Sequence, residues 1–126
     1  MEISKEIIER AKSWLTSQYD IETRKQVQEL IDNNPNELLE SFYKNLEFGT
    51  GGLRGIMGVG TNRMNTYTVA MATQGFANYI KNMFTNEKEL RVAIAYDCSN
   101  KSKEYAKTTA NVMSGSGIKV LLFNSL

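Results

Sequence analysis

Residues 91–96 read Arg-Val-Ala-Ile-Ala-Tyr, an almost entirely apolar run of strand length. Such a run is typical of a parallel strand that is covered on both faces. Residues 118–123, Ile-Lys-Val-Leu-Leu-Phe, form a second run of this kind. Between them, residues 102–114 have helical periodicity, and Gly115 and Gly117 follow where a helix end is expected. The order strand, helix, strand predicts a βαβ unit and an α/β fold.

The chain before this unit is mainly helical in its pattern. Apolar residues recur at helical spacing over residues 3–18, and a second amphipathic stretch covers residues 21–31. Asp20 is the predicted N-cap of that second helix, and a third short helix is predicted to run to Phe42. We therefore predict a helical N-terminal arm over residues 1–45.

The remainder, residues 46–126, is predicted to be a partial α/β domain with a mixed sheet, because short apolar runs also flank a glycine-rich turn. A long helix is expected from Asn65 or Thr66 to about Phe84. Its buried side is predicted to carry the following residues: Val69, Ala72, Phe76, Tyr79, Ile80 and Met83. A parallel sheet with only two long strands is thin, so we interpret the chain as a truncated domain.

Composition excludes several classes of function. The chain has 126 residues, and its 15 basic and 14 acidic side chains nearly balance, which argues against binding to nucleic acid or to an anionic membrane. With no histidine and a single cysteine, Cys98, it lacks the ligands of a zinc site and cannot form an internal disulfide. The pattern contains neither a signal peptide nor a membrane span. These features predict a cytoplasmic protein.

The strongest chemical feature is residues 48–58, Phe-Gly-Thr-Gly-Gly-Leu-Arg-Gly-Ile-Met-Gly, in which five glycines surround Arg54. Glycines allow backbone N–H groups to approach an anion, and an arginine fork binds phosphate through two hydrogen bonds. The segment fits neither a P-loop nor a dinucleotide-binding fingerprint. It also suits a hairpin whose glycines only permit sharp turns and whose arginine is solvated.

Two further places are candidates for ligand binding. Arg63 directly precedes a predicted helix N-terminus, where the helix dipole favours an anion, although it also suits a surface ion pair. Asp97 follows the first buried strand at the edge where α/β sheets bind ligands, although a turn or helix cap suits it too.

Residues 48–55, 57–58, 62–65 (Asn-Arg-Met-Asn) and 72–75 (Ala-Thr-Gln-Gly) together resemble the phosphoglucomutase and phosphomannomutase (α-D-phosphohexomutase) superfamily. The likeness is greatest to the branch of phosphoglucomutases and phosphopentomutases with an extra helical N-terminal arm. The resemblance implies an N-terminal fragment of an isomerase that interconverts glucose 1-phosphate and glucose 6-phosphate through a phosphoserine. Alternatives are a phosphopentomutase or phosphomannomutase fragment, or a non-catalytic phosphate-binding domain.

By this resemblance, Arg54 neutralises charge on the transferred phosphate, and Thr50 and Gly52 belong to the loop that shapes the active cleft beside it. The predicted phosphate-binding residues are these two, Gly51 in the same loop and Arg63 beside the helix N-terminus. Mg²⁺ and glucose 1,6-bisphosphate are the implied cofactor and intermediate. The phosphoserine and metal motifs of the family are missing from this chain, so we predict that it is inactive by itself. Ser99 stands where the family often has arginine. A sugar phosphate is the implied partner, and the edge of the strand at 118–123 is predicted to favour self-association.

Overall fold

The computed structural model describes residues 3–49, 52–53, 55–96 and 101–124. A short 3₁₀ turn over Ser13–Leu15 follows the first helix. The helices and strands of the described residues are α1 (Lys5–Lys12), α2 (Ile21–Asn33), α3 (Pro35–Phe42), β1 (Phe48–Gly49), β2 (Gly52–Leu53), α4 (Thr66–Met83), β3 (Arg91–Tyr96), α5 (Ser102–Gly115) and β4 (Lys119–Asn124).

The predicted βαβ unit is confirmed. Strands β3 and β4 pair in parallel, with Arg91 opposite Lys119 and Tyr96 opposite Asn124, and α5 connects them. Strands β1 and β2 form a separate antiparallel pair. The α/β class is therefore as predicted, but within the described residues the four strands form two separate pairs rather than one mixed sheet.

Among the described residues, the β3–β4 pair is covered on one face only, and there only in part, since Leu122 beside Val120 is 44% exposed. The apolar runs had predicted cover on both faces. Burial alternates along β3, and Val92 packs with Val120 against a core that contains Met113 of α5. On the other face, Leu121 and Phe123 of β4 are about half exposed. Apolar composition thus identified the strands but overstated their burial. Self-association through this strand stays a prediction.

Helix α4 packs on α5 through small side chains. Thr73 and Ala77 are buried, and the Thr73 hydroxyl lies 3.4 Å from the Thr109 hydroxyl. The sequence had predicted Phe76, Tyr79 and Met83 on the buried side of α4, and this is wrong, because these side chains are 48–58% exposed. Phe76, Tyr79 and Met83 lie outside the core that Ala77 and Ile80 of α4 form with Met113 of α5.

The chain divides into two compact units, Met1–Asn65 and Thr66–Leu126. The glycine-rich segment belongs to the first unit and the βαβ unit to the second. The predicted domains, residues 1–45 and 46–126, stay a prediction. No helix among the described residues is long and apolar enough to cross a membrane.

The core of the first unit is built around Trp14. Its ring stacks on Tyr19 at 4.6 Å and meets the edge of Phe42 at 5.6 Å. The sequence had predicted one helix over residues 3–18, but the helix tightens into the 3₁₀ turn at Ser13–Leu15, which carries Trp14 into this cluster. Burial among these rings raises the pKa of the Tyr19 phenol.

The helices of the arm begin where local sequence signals predict. The Asp20 carboxylate accepts a hydrogen bond from the Thr23 N–H at 3.1 Å, which confirms Asp20 as the N-cap of α2. Asn34 caps α3 in the same way by accepting from the Glu37 N–H, and Pro35 occupies the first turn. These caps satisfy backbone N–H groups within a few residues of sequence.

Substitution of Phe42 by alanine is expected to lower the free energy of unfolding by about 3–5 kcal/mol, because this side chain is fully buried. Phe84→Ala is the matched control, since Phe84 is 52% exposed, and it is expected to cost less than about 1 kcal/mol. Urea unfolding followed by fluorescence of Trp14, the only tryptophan in the sequence, measures both. Equal losses for the two variants would contradict this account of the core.

Candidate functional site

The glycine-rich segment begins as a short antiparallel hairpin. Phe48 lies opposite Leu53, and Gly49 lies opposite Gly52. Of the predicted phosphate-binding residues, Gly52 is therefore in β2, while Thr50, Gly51 and Arg54 lie outside the described residues. The hairpin expected from the flanking apolar runs is present, and its glycines form both members of one cross-strand pair.

After the hairpin, residues 55–65 form what we call the return limb, which folds back on itself. The Met64 N–H donates to the Ile56 carbonyl at 2.8 Å, and the Gly58 N–H donates to the Met64 carbonyl at 3.1 Å. The Asn65 amide closes the limb by donating to the Gly58 carbonyl at 2.8 Å and to the Gly60 carbonyl at 3.0 Å. Backbone and side-chain hydrogen bonds together give the limb a defined shape without regular secondary structure.

The return limb is bound to the C-terminal end of α3. The Asn62 N–H donates to the Ser41 carbonyl at 2.9 Å, and the Asn62 side chain donates to the Glu40 carbonyl at 3.1 Å. Arg63 Nη1 donates to the same Glu40 carbonyl at 3.3 Å. A helix leaves its last carbonyls without intrahelical partners, and α3 lacks the glycine that often caps a helix end. The limb supplies the donors that α3 needs.

Arg63 also forms an ion pair with α3. Its Nη2 lies 3.0 Å from Glu37 Oε1, and its side chain is 9% exposed against 48% for that of Glu37. Nη1 makes a further hydrogen bond, at 3.2 Å, to the Asn62 carbonyl. The guanidinium is thus buried and held by one carboxylate and two backbone carbonyls. The pairing with an acid matches the alternative considered for Arg63 from sequence, but the side chain is buried and not at the surface. Phosphate binding by Arg63 stays a prediction.

The residues before the hairpin are attached to the same limb. The Leu46 N–H donates to the Thr61 carbonyl at 2.8 Å, and the Thr61 hydroxyl donates to the Lys44 carbonyl at 2.7 Å. Leu46 also packs against Gly55, where a Cβ would lie 2.7 Å from Leu46 Cδ1. Both ends of the glycine-rich hairpin are therefore fixed to one another and, through the limb, to α3.

Gly60 allows the limb to approach α3 closely. Its φ is +119°, in the region that favours glycine, and an added Cβ would overlap the carbonyl oxygen of Ser41. Ser41 is itself only 2% exposed, so neither partner has room to move. No side chain can replace hydrogen at this position without displacing the limb.

A groove of about 370 Å³ lies between α2, α3 and the return limb. Its lining includes two cationic side chains, Lys25 and Arg63, and two anionic ones, Glu29 and Glu37. This balance of charge does not favour an anion over a cation. The groove therefore adds nothing to the phosphate-binding prediction, which depends on the glycine-rich segment.

The part of the chain that the structure describes contains no group of three or more side chains able to hold a metal ion. Asp97, with its neighbours Cys98 and Ser99, lies outside the described residues. The described residues therefore offer no site for the Mg²⁺ that the sequence resemblance implies, and the location of its ligands in other parts of the enzyme stays a prediction.

Residues 45–126 match the family described as phosphoglucomutase/phosphomannomutase, alpha/beta/alpha domain I. The match includes the glycine-rich segment, the return limb and the whole βαβ unit. The chain belongs to this family. Its members are sugar-phosphate mutases, which are isomerases. The resemblance seen in the sequence motifs is thereby confirmed.

The chain is similar to several individual members of this family. The chain is 34% identical over 120 residues to human phosphopentomutase, covering 90% of this chain and 20% of the relative. It is 35% identical over 119 residues to a probable phosphoribomutase of Schizosaccharomyces pombe (94% of this chain, 20% of the relative) and 34% over 118 residues to a glucose 1,6-bisphosphate synthase of Mus musculus (88% and 19%). The chain spans about a fifth of the length of these relatives. No solved structure matches it.

Sequence reasoning missed the dependence of α3 on the return limb. The sequence predicted a third short helix up to Phe42 and assigned no role to Glu37, Glu40 or Ser41 within it. One signal was available, because α3 ends without a nearby glycine and its carbonyls therefore need donors from elsewhere. Sequence alone does not say which distant residues supply them.

Gly60→Ala is expected to lower the free energy of unfolding by more than about 2 kcal/mol, since it adds backbone strain and a clash with Ser41. The matched control is Gly75→Ala within α4, where a Cβ meets nothing within 4 Å. That change is expected to stabilise the protein by about 0.5–1 kcal/mol, because alanine favours a helix interior over glycine. Thermal unfolding of both variants tests the pair, and a neutral Gly60→Ala would contradict the close approach.

Proposed function

We propose that this chain is part of a mutase that moves a phosphoryl group between two hydroxyls of a pentose phosphate, with its glycine-rich segment at the phosphate. The observation that carries the proposal is the combination of the family match over residues 45–126 with similarity to a phosphopentomutase and to a phosphoribomutase. These relatives favour a pentose over the glucose phosphate that the motifs first implied. The proposal concerns the whole enzyme, because the relatives are about five times as long as this chain.

Within this function the chain would bind and position a phosphate. Phosphoryl transfer depends mainly on positioning and on neutralising charge, so backbone N–H groups and an arginine suit it. We assign Arg54 to the charge of the transferred phosphate, with Thr50, Gly51 and Gly52 shaping the loop around it. The short β1–β2 hairpin, with its Gly49–Gly52 pair, supports a segment in which backbone can approach a ligand closely.

The chemical groups that break and form the phosphate bonds would come from other parts of the enzyme. Family resemblance assigns the phosphoryl group to a phosphoserine in a motif that contains histidine, and this chain contains no histidine. The family typically uses Mg²⁺ and a glucose 1,6-bisphosphate intermediate. Since the described residues offer no metal site, we assign no step of the reaction to a metal held by this chain.

Arg54→Ala in the full-length enzyme is expected to lower kcat/KM by about 10²–10³-fold, because removal of one hydrogen-bond donor to the charge that develops in a transition state has an effect of this size in other enzymes. The melting temperature is expected to stay unchanged. Arg91→Ala is the matched control, because Arg91 is exposed and pairs only with Glu89 among the described contacts. It is expected to keep wild-type activity. Wild-type kcat/KM in Arg54→Ala would contradict the assigned role.

The substrate is tested by comparing kcat/KM of the full-length enzyme for ribose 1-phosphate and for glucose 1-phosphate. A higher value for the pentose supports the proposal, and a higher value for glucose supports a phosphoglucomutase instead. Similarity to glucose 1,6-bisphosphate synthases makes formation of a sugar bisphosphate the second candidate, and mass spectrometry of the products detects it. The 126-residue chain alone is expected to turn over none of these substrates.

A further inference from the structure

We propose that Arg63 is a positioning residue for the glycine-rich segment, and that it acts through Glu37 on α3. This inference rests on the proposed function, because it assigns the helical arm a part in phosphate binding. The juxtaposition that carries it is a buried guanidinium between the carboxylate of Glu37 and the carbonyl of Glu40. The arm would thus set the position of the loop that binds the substrate.

The contact between Arg63 and α3 is electrostatic. The carbonyls at a helix C-terminus carry a partial negative charge, which a cation stabilises. Arg63 meets this charge through Nη1 and adds a full carboxylate partner through Nη2. A planar fork can serve two acceptors at once in a fixed direction, whereas a lysine presents one point charge. Arg63 therefore fixes orientation as well as distance.

The contact between Arg63 and α3 holds the return limb. The return limb begins at Gly55, which directly follows Arg54 in sequence, and Gly55 packs on Leu46 before the hairpin. The limb is tied to α3 by Asn62 and Arg63 together. Release of Arg63 would leave Asn62 as the remaining described side-chain anchor of the limb on α3, so the limb would lose one of two such anchors. Loss of position at a ligand loop weakens binding even when no ligand contact is removed.

Arg10 allows an effect on loop position to be separated from an effect on stability. Arg10 makes the same kind of contact at the same helix end, because its Nη1 donates to the Phe42 carbonyl at 2.8 Å and its Nη2 lies 3.6 Å from Glu6. Arg10 belongs to α1 and does not touch the return limb in any described contact. Loss of Arg10 should therefore weaken the arm without moving the hairpin. Substitution of Arg63 therefore tests the positioning role, and substitution of Arg10 is its control.

The test measures the dissociation constant of ribose 5-phosphate by calorimetry in the full-length enzyme, below the lowest melting temperature of the set. The variants are Arg63→Met, Glu37→Gln, the double variant and the control Arg10→Met. Arg63→Met is expected to raise the dissociation constant about tenfold and Glu37→Gln about threefold, with the double variant no weaker than Arg63→Met, as expected for a contacting pair. Arg10→Met is expected to stay within about twofold of wild type. Hydrogen exchange at residues 55–58 is expected to accelerate in Arg63→Met and not in Arg10→Met.

Several results would overturn the proposal. Wild-type affinity in Arg63→Met would show that the anchor does not matter, and equal weakening by Arg10→Met would reduce the effect to stability. Weakening by Arg63→Met with no effect of Glu37→Gln would show that Arg63 contacts the phosphate itself. If Arg63→Met does not fold, Arg63→Lys replaces it, with an expected intermediate loss. Arg54→Ala runs alongside: wild-type affinity in that variant would overturn the proposed function, whereas its loss with unchanged Arg63→Met would overturn only the positioning role.

Discussion

The last carbonyls of α3 are the constraint on which the first unit of this protein depends. Three of them accept hydrogen bonds from residues distant in sequence: Glu40 from Asn62 and Arg63, Ser41 from the Asn62 backbone, and Phe42 from Arg10. Buried backbone acceptors are almost always paired, so a helix without a local cap requires such donors. One helix end thereby joins α1, α3 and the return limb, and Gly60 gives the limb the space to reach it.

The Arg63–Glu37 ion pair contributes little net stability, but removal of one partner is costly. The Arg63–Glu37 pair is half exposed on the carboxylate side, so its net contribution to stability is small. The guanidinium itself is buried, and a buried charge that loses its partner is costly. The pair is therefore better understood as fixing one arrangement of limb and helix than as a source of stability. Specificity of arrangement is what a ligand-binding loop requires from its support.

Local signals in the sequence predicted most of the helices and strands. The features that were missed depend on contacts between residues distant in sequence. Asp20 and the apolar runs at 91–96 and 118–123 act within a few residues, so α2 and the βαβ unit were identified correctly. The exposed side of α4 was assigned wrongly, because apolar periodicity along one helix does not show which of its apolar side chains a neighbouring element covers. For the candidate site, the sequence singled out the glycine-rich segment and indicated the family. It did not indicate that Arg63 pairs with Glu37 of α3, because the two residues are 26 positions apart.

The arm and the glycine-rich segment are physically one unit, although the family domain begins only at residue 45. The similarity to human phosphopentomutase covers 90% of the chain and must therefore include part of the arm as well as the family domain. The arm contributes acceptors that the return limb needs, and the limb contributes donors that α3 needs. Neither segment satisfies all of its own backbone groups. Under the proposed function, an arm bound in this way would influence the glycine-rich segment without contacting a ligand, through the same few hydrogen bonds that hold its own last helix in place.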